Sequence, residues 1–171
     1  TSAAAGGGAW ELVGTAVASV SASLTITGLD VANYECYAII LSRFQPVNDQ
    51  ANLNMRLGSG SIATSGYNNK NVENGTANTG VTSAIQLTTS VRSSTDGTGV
   101  GVGYLHPFLT DSVTAVHGQF YSPASSNTNA IFGGALPAAA GDGVDRVQVL
   151  FDTGNIKYGR MTIYGISGHL A

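Results

Sequence analysis

The chain has 171 residues, a net charge of −3 and only 10% charged residues, against about 25% in an ordinary soluble domain. Its seven Lys and Arg are scattered singly, which argues against the basic stripe that nucleic acid needs and the polybasic run that an anionic membrane attracts. Cys36 is the single cysteine, so no intrachain disulfide can form, and 43% hydrophobic residues give a chain of this length a core that needs no metal or cross-link.

Residues 1–9 read as a flexible lead. Thr1 to Gly8 is small and uncharged, without the basic start and apolar core of a secretory leader. Residues 10–171 read as one β-sandwich domain. Trp10 opens the first strand (WELVGTAVAS), and Ser21 to Thr27 alternates Leu24 and Ile26 with Ser and Thr. The span from Leu12 to Leu29 is uncharged, but it is too rich in Ser, Thr and Gly to cross a bilayer. Tyr34 to Phe44 (YECYAIILSRF) is the strongest β run, apolar on both faces as a central strand is. Cys36 lies within it as a buried, inert thiol. Asn52 to Leu57 puts Leu53, Met55 and Leu57 inward and Asn54 and Arg56 outward.

From Gly58 to Gly80 the chain is dominated by Gly, Ser, Thr and Asn, with Tyr67 and Val72 as its sizeable apolar residues. It reads as a long surface excursion with an edge strand near Gly66 to Val72, and long loops often carry function. Tyr67, Asn68, Asn69, Asn71 and Asn74 are therefore the candidate contact surface. An exposed aromatic face stacks on a sugar or a protein, and Asn supplies adaptable hydrogen bonds. Tyr67 is the tyrosine least expected in the core. Asn74-Gly75-Thr76 also matches a glycosylation sequon, a short and common pattern.

Further strands fall at Ser83 to Thr89, Gly99 to Pro107, Val113 to Tyr121 and Ala130 to Leu136. Gly97, Gly99, Gly101 and Gly103 recur at the period of a strand. They predict a face without side chains, where an aromatic or another backbone packs closely. The closing segment, Val144 to Gly165, reads as strand, turn and strand. Val147, Val149 and Phe151 point inward, Asp152-Thr153-Gly154-Asn155 reverses the chain, and Met161 and Ile163 point inward again, as a hairpin that closes a sheet. About ten short strands spaced by turn signals predict an all-β antiparallel sandwich of the jelly-roll kind.

No catalytic or metal constellation stands out, and no cofactor is expected. His106, His117 and His169 form no ligand spacing. Asp142 and Asp145 bracket a loop with too few oxygens for calcium and read as turn formers. Glu11, Glu35 and Glu73 stand in no recognisable context, although acids for sugar cleavage can come from distant positions. No Ser occupies a G-x-S-x-G elbow.

Three segments together resemble a family of tailed-bacteriophage virion proteins. The first is Trp10-Glu11-Leu12-Val13-Gly14-Thr15, followed by Ser19 to Asp30. The second is Tyr34 to Phe44, Pro46, Asp49 and Leu53 to Leu57, with Ser65-Gly66-Tyr67. The third is Asp145-Arg146-Val147 through Gly154-Asn155-Ile156, with Gly159 to Ile166. The resemblance implies a non-enzymatic β-sandwich displayed on the outer surface of a phage particle, as capsid decoration or as a tail-fibre or tail-tip module for host recognition. It implies other virion proteins as partners, homo-oligomerisation, and a host-surface glycan as a ligand. It carries no catalytic residue over. The rival readings are a tail-associated polysaccharide-degrading enzyme and a lectin-like carbohydrate-binding domain.

Overall fold

A computed structural model describes residues 10–94, 98–107, 113–123, 127–137 and 143–167. They form thirteen strands: β1 (Trp10–Ser21), β2 (Leu24–Thr27), β3 (Cys36–Pro46), β4 (Ala51–Ser59), β5 (Ser61–Ile62), β6 (Asn68–Glu73), β7 (Thr76–Thr79), β8 (Ile85–Val91), β9 (Gly99–His106), β10 (Thr114–Ser122), β11 (Thr128–Leu136), β12 (Arg146–Phe151) and β13 (Ile156–Ile166). All pairings are antiparallel. An eight-stranded sheet runs β1-β13-β3-β9-β10-β11-β6-β7, and a second sheet runs β2-β12-β4-β5 with β8 also on β4. The result is the all-β, jelly-roll-like sandwich that the strand pattern predicts.

The core lies between the sheets. Tyr37, Ile39 and Leu41 from β3 and Met161 and Ile163 from β13 meet Leu53, Met55 and Leu57 from β4 and Val147 and Val149 from β12. The glycine period on β9 finds its partners here. A Cβ at Gly99 or Gly101 would run into the Phe120 ring, and one at Gly103 would come within 3.3 Å of Phe132. Two large aromatics are thus admitted close to a bare strand face. Gly97 lies outside the described residues.

The closing segment corrects one expectation. β12 and β13 are not paired as a hairpin: β12 sits in the second sheet between β2 and β4, and β13 in the first between β1 and β3. Asp152 to Asn155 carries the chain across the sandwich. Asp152 accepts the Asn52 N–H and side-chain amide at 2.9 Å each, its own N–H donates to the Asn52 carbonyl, and Val47 N–H donates to the Asn155 carbonyl. Both strands bury one face against the same core, which is why their alternation looks like that of a hairpin.

Asn54, expected outward, is buried on the far face of β4 opposite Gln86 of β8. Cys36 is half-buried rather than buried, and its thiol is raised by burial and by nearby Glu35. The excursion from Gly58 to Gly80 is largely ordered sheet: β6 and β7 form a hairpin on the edge of the large sheet. Asn74 and Gly75 turn it with φ of 47° and 85°, the geometry of a type I′ turn.

Candidate binding surfaces

The five residues singled out in the Asn-rich segment do not form one exposed patch. Tyr67 is 2% exposed. Its hydroxyl accepts the Leu57 N–H at 2.8 Å and lies 3.0 Å from the Leu57 carbonyl and 2.9 Å from the Ala63 carbonyl, to one of which it donates. The ring enters the core because the β4–β5 reversal supplies these backbone partners, which a buried phenol requires. Burial also holds the phenol above its ordinary pKa.

Asn71 is 1% exposed, and neither atom of its amide has a partner. Asn69 is committed to structure: its Nδ2 donates to the Val81 and Ala84 carbonyls, and its Oδ1 accepts the Gln86 N–H. Asn74 Oδ1 accepts the Asn129 N–H. Asn68 faces outward.

The polarity of β6 is therefore inverted. Its inward positions are Asn69, Asn71 and Glu73, while Val72, 39% exposed, points out. Glu73 reaches across to β8, where it accepts the hydroxyls of Thr88 and Thr89 and the Thr89 N–H at 2.5 Å. Tyr67, Asn68 and Asn69 do border a shared depression of about 540 Å³ with Lys70, Thr82 and Gly133. With the Tyr67 ring buried and Asn69 occupied, its free polar groups are few.

The broad surface of the molecule is the outer face of the eight-stranded sheet. One row across it reads Leu12, Tyr164, Ala38, Tyr104, His117, Gly133 and Lys70; the next reads Thr15, Thr162, Ile40, Val102, Gln119, Ile131 and Val72. Trp10 packs on Tyr164 with centroids 5.9 Å apart, and His106 stacks on His117 at 5.3 Å with planes 6° apart. The His106 imidazole is held below its ordinary pKa by burial and then by His117. On β3, β9, β10 and β11 the outward positions carry no Asp, Glu, Lys or Arg until the bulge at Arg43. A shallow depression of about 360 Å³ on this face is lined by Ile40, Val100, Val102, Gln119 and Tyr121, among others. This depression is not legible in the sequence, because its residues come from strands far apart in the chain; only the period-2 alternation within each strand marks them as outward.

Among the described residues no three His, Cys, Asp or Glu gather where they could hold a metal. Asp145 is bound by Arg146 at 2.6 and 2.9 Å, and this contact, with a lesser contribution from the Gly60 N–H, holds its carboxyl below the usual range against the opposing effect of burial. Asp142 and His169 lie outside the described residues.

No protein-family model and no curated protein matches the chain. Among solved structures it is similar to a legume lectin-like domain from Entamoeba histolytica, at 8% identity and a TM-score of 0.37 over 85% of this chain and 79% of that one. It is also similar to an exo-inulinase from Aspergillus awamori, at 13% identity and a TM-score of 0.35 over 93% of this chain and 29% of that one. The fold stands on the strand pairing itself, and neither likeness bears on a site.

Proposed function

We propose that this chain is a non-enzymatic structural protein of the outer surface of a tailed-phage virion, assembled there through the outer face of its eight-stranded sheet. The observation that carries the reading is the absence of charge from the outward positions of β9, β10 and β11, and of β3 up to the bulge at Arg43, combined with exposed Val100, Tyr121 and Ile131. An isolated soluble domain interposes charges on such a surface, and a contiguous apolar patch marks a contact with another protein. The resemblance of the three sequence segments to virion proteins supplies the setting. The non-enzymatic part is supported by the acids: Glu73 and Asp145 are engaged in structural bonds, and among the described residues no carboxylate lines either depression.

Immunogold electron microscopy of particles that carry the chain tests this reading. Label over the head assigns capsid decoration, label at the tail end assigns host recognition, and absence of label from particles whose epitope is accessible overturns it. A companion variant, Ile131→Asp, places a charge in the centre of the neutral face. It is expected to fold as the wild type does and to be lost from particles; normal incorporation would remove that face from the contact.

A further inference from the structure

The cations of this chain are few, and three of the seven gather at one place. β3 and β13 pair with an interrupted register there: Tyr158 pairs with Gln45 and Arg160 with Ser42, so that Arg43 and Phe44 together oppose Gly159. This is a β-bulge, which re-aims a side chain. Arg43 adopts a φ of 57°, a conformation that costs a non-glycine residue energy and persists only when its surroundings enforce it. Gly159 leaves room for the bulge, since a Cβ there would lie 3.1 Å from the Phe44 ring. The bulge sets Arg43 beside Arg160 and Tyr158 around a notch of about 300 Å³, closed on the β1 side by Val17. Lys157 Nζ stands 5.6 Å from the centre of the Tyr158 ring. Tyr158 is 55% exposed.

Among the described residues no acid lines the notch, and the single ion pair is Asp145 with Arg146, at another strand end. In a chain of net charge −3, this is a local concentration of unneutralised positive charge. Guanidinium groups present planar forks that match an oxyanion, and an exposed phenol ring offers an apolar face with a polar tip. We propose that the notch framed by Arg43, Arg160 and Tyr158 binds an anionic saccharide, the two guanidinium groups taking its carboxylate or sulfate and Tyr158 taking a face of the sugar ring. A single notch with two guanidinium groups and one exposed ring is too small a footprint for a nucleic-acid strand. The proposal is independent of where the protein is displayed.

The test uses the full chain in titration calorimetry with three probes: a short galacturonic-acid oligomer, its methyl ester, and a sulfated heparin-derived oligomer. Binding of the acid or the sulfated oligomer, at least about tenfold tighter than the ester and weakened as salt rises past about 0.15 M, is the expected result. The two anionic arms tell carboxylate from sulfate. Arg43→Asn with Arg160→Gln should lose at least about tenfold, Asn being chosen because it tolerates positive φ. Tyr158→Ala should weaken binding with its salt dependence intact. Equal binding of the ester, full binding by the double variant, or no binding of either anion by the wild type would each overturn the proposal. Should the double variant fail to fold, the Nε–Hε resonances of Arg43 and Arg160 in the labelled wild type decide. Both should shift when the bound probe is added, and unmoved resonances would place the anion elsewhere.

Discussion

Replacing Glu73 by Ala removes one carboxylate and leaves three donors on β8 without their acceptor. These are the hydroxyls of Thr88 and Thr89 and the Thr89 N–H. Glu73 is buried and belongs to the large sheet, whereas β8 belongs to the small one, so the carboxylate ties the two layers together. A hydrogen bond to a charged group contributes about 1.5–3 kcal/mol. The three do not add, because they share one acceptor and the Thr88 hydroxyl already lies 3.3 Å from the Thr89 carbonyl. The expected loss is roughly 3–4 kcal/mol, a large part of a domain stability of about 5–15 kcal/mol. Urea unfolding followed by far-ultraviolet circular dichroism should show the midpoint falling with the slope unchanged. Glu73→Gln keeps the shape and one good acceptor and should lose about half as much. A loss under about 1 kcal/mol in the Ala variant would refute the reasoning. It would mean that the donors find other partners at no cost and that the cross-sheet tie is incidental.

Tyr67→Phe strips the partner from the Leu57 N–H and should cost about 1–3 kcal/mol, a fall of several degrees in Tm read by thermal scanning; an unchanged Tm would put the hydroxyl outside the core. Asn71→Leu replaces a buried amide without partners by an apolar group with the same number of side-chain atoms. It should raise stability by about 1–2 kcal/mol in urea, and a loss of that size would show that the amide is engaged. His106 supplies a pH dependence whose sign is fixed. Its folded pKa lies below the ordinary 6.5 because burial, and then His117, disfavour the cation, so the unfolded chain binds more protons in that interval. Its contribution is therefore intact above about pH 6.5 and is lost as the pH falls through the folded value. Tm measured from pH 7.5 to 5 should fall more steeply in the wild type than in His106→Gln, and parallel curves would exclude the imidazole as the cause.

The strands that bury a single apolar stripe were legible. β4 and β12 alternate cleanly, and Leu53, Met55, Leu57, Val147 and Val149 all reach the core as their period requires. The connection between β12 and β13 was not legible. Alternation reports which face of a strand is buried and is silent on which strand lies beside it. A hairpin and a crossing between two layers therefore leave the same pattern. What decides is pairing with β2, β4, β1 and β3, all far away in the chain. Segment β6–β7 was obscured for another reason. Its period is intact but its polarity is reversed, with Asn and Glu inward and Val72 outward, because Glu73 and Asn69 satisfy backbone and hydroxyl groups of β8 and the loop before it. The local signal that did speak was Asn74-Gly75, whose left-handed pair makes the turn.

The same inversion explains why Tyr67 and Asn71 are buried where the sequence reads them as exposed. An Asn-rich stretch looks solvated when read alone, and a tyrosine within it looks like a contact residue. A polar side chain is equally at home inside when backbone groups nearby need partners, and a phenol is at home there when a strand reversal offers carbonyls. Conversely, Arg43 stands in the strongest apolar run of the chain and Arg160 in a closing strand, where each reads as an ordinary outward charge. Only the β3–β13 pairing brings them to one notch, and only the skipped register opposite Gly159 turns Arg43 toward Tyr158. A binding surface of this kind is a property of pairing and of its irregularities. It follows that shifting the bulge should move Arg43 away from the notch while every residue lining it stays in the sequence.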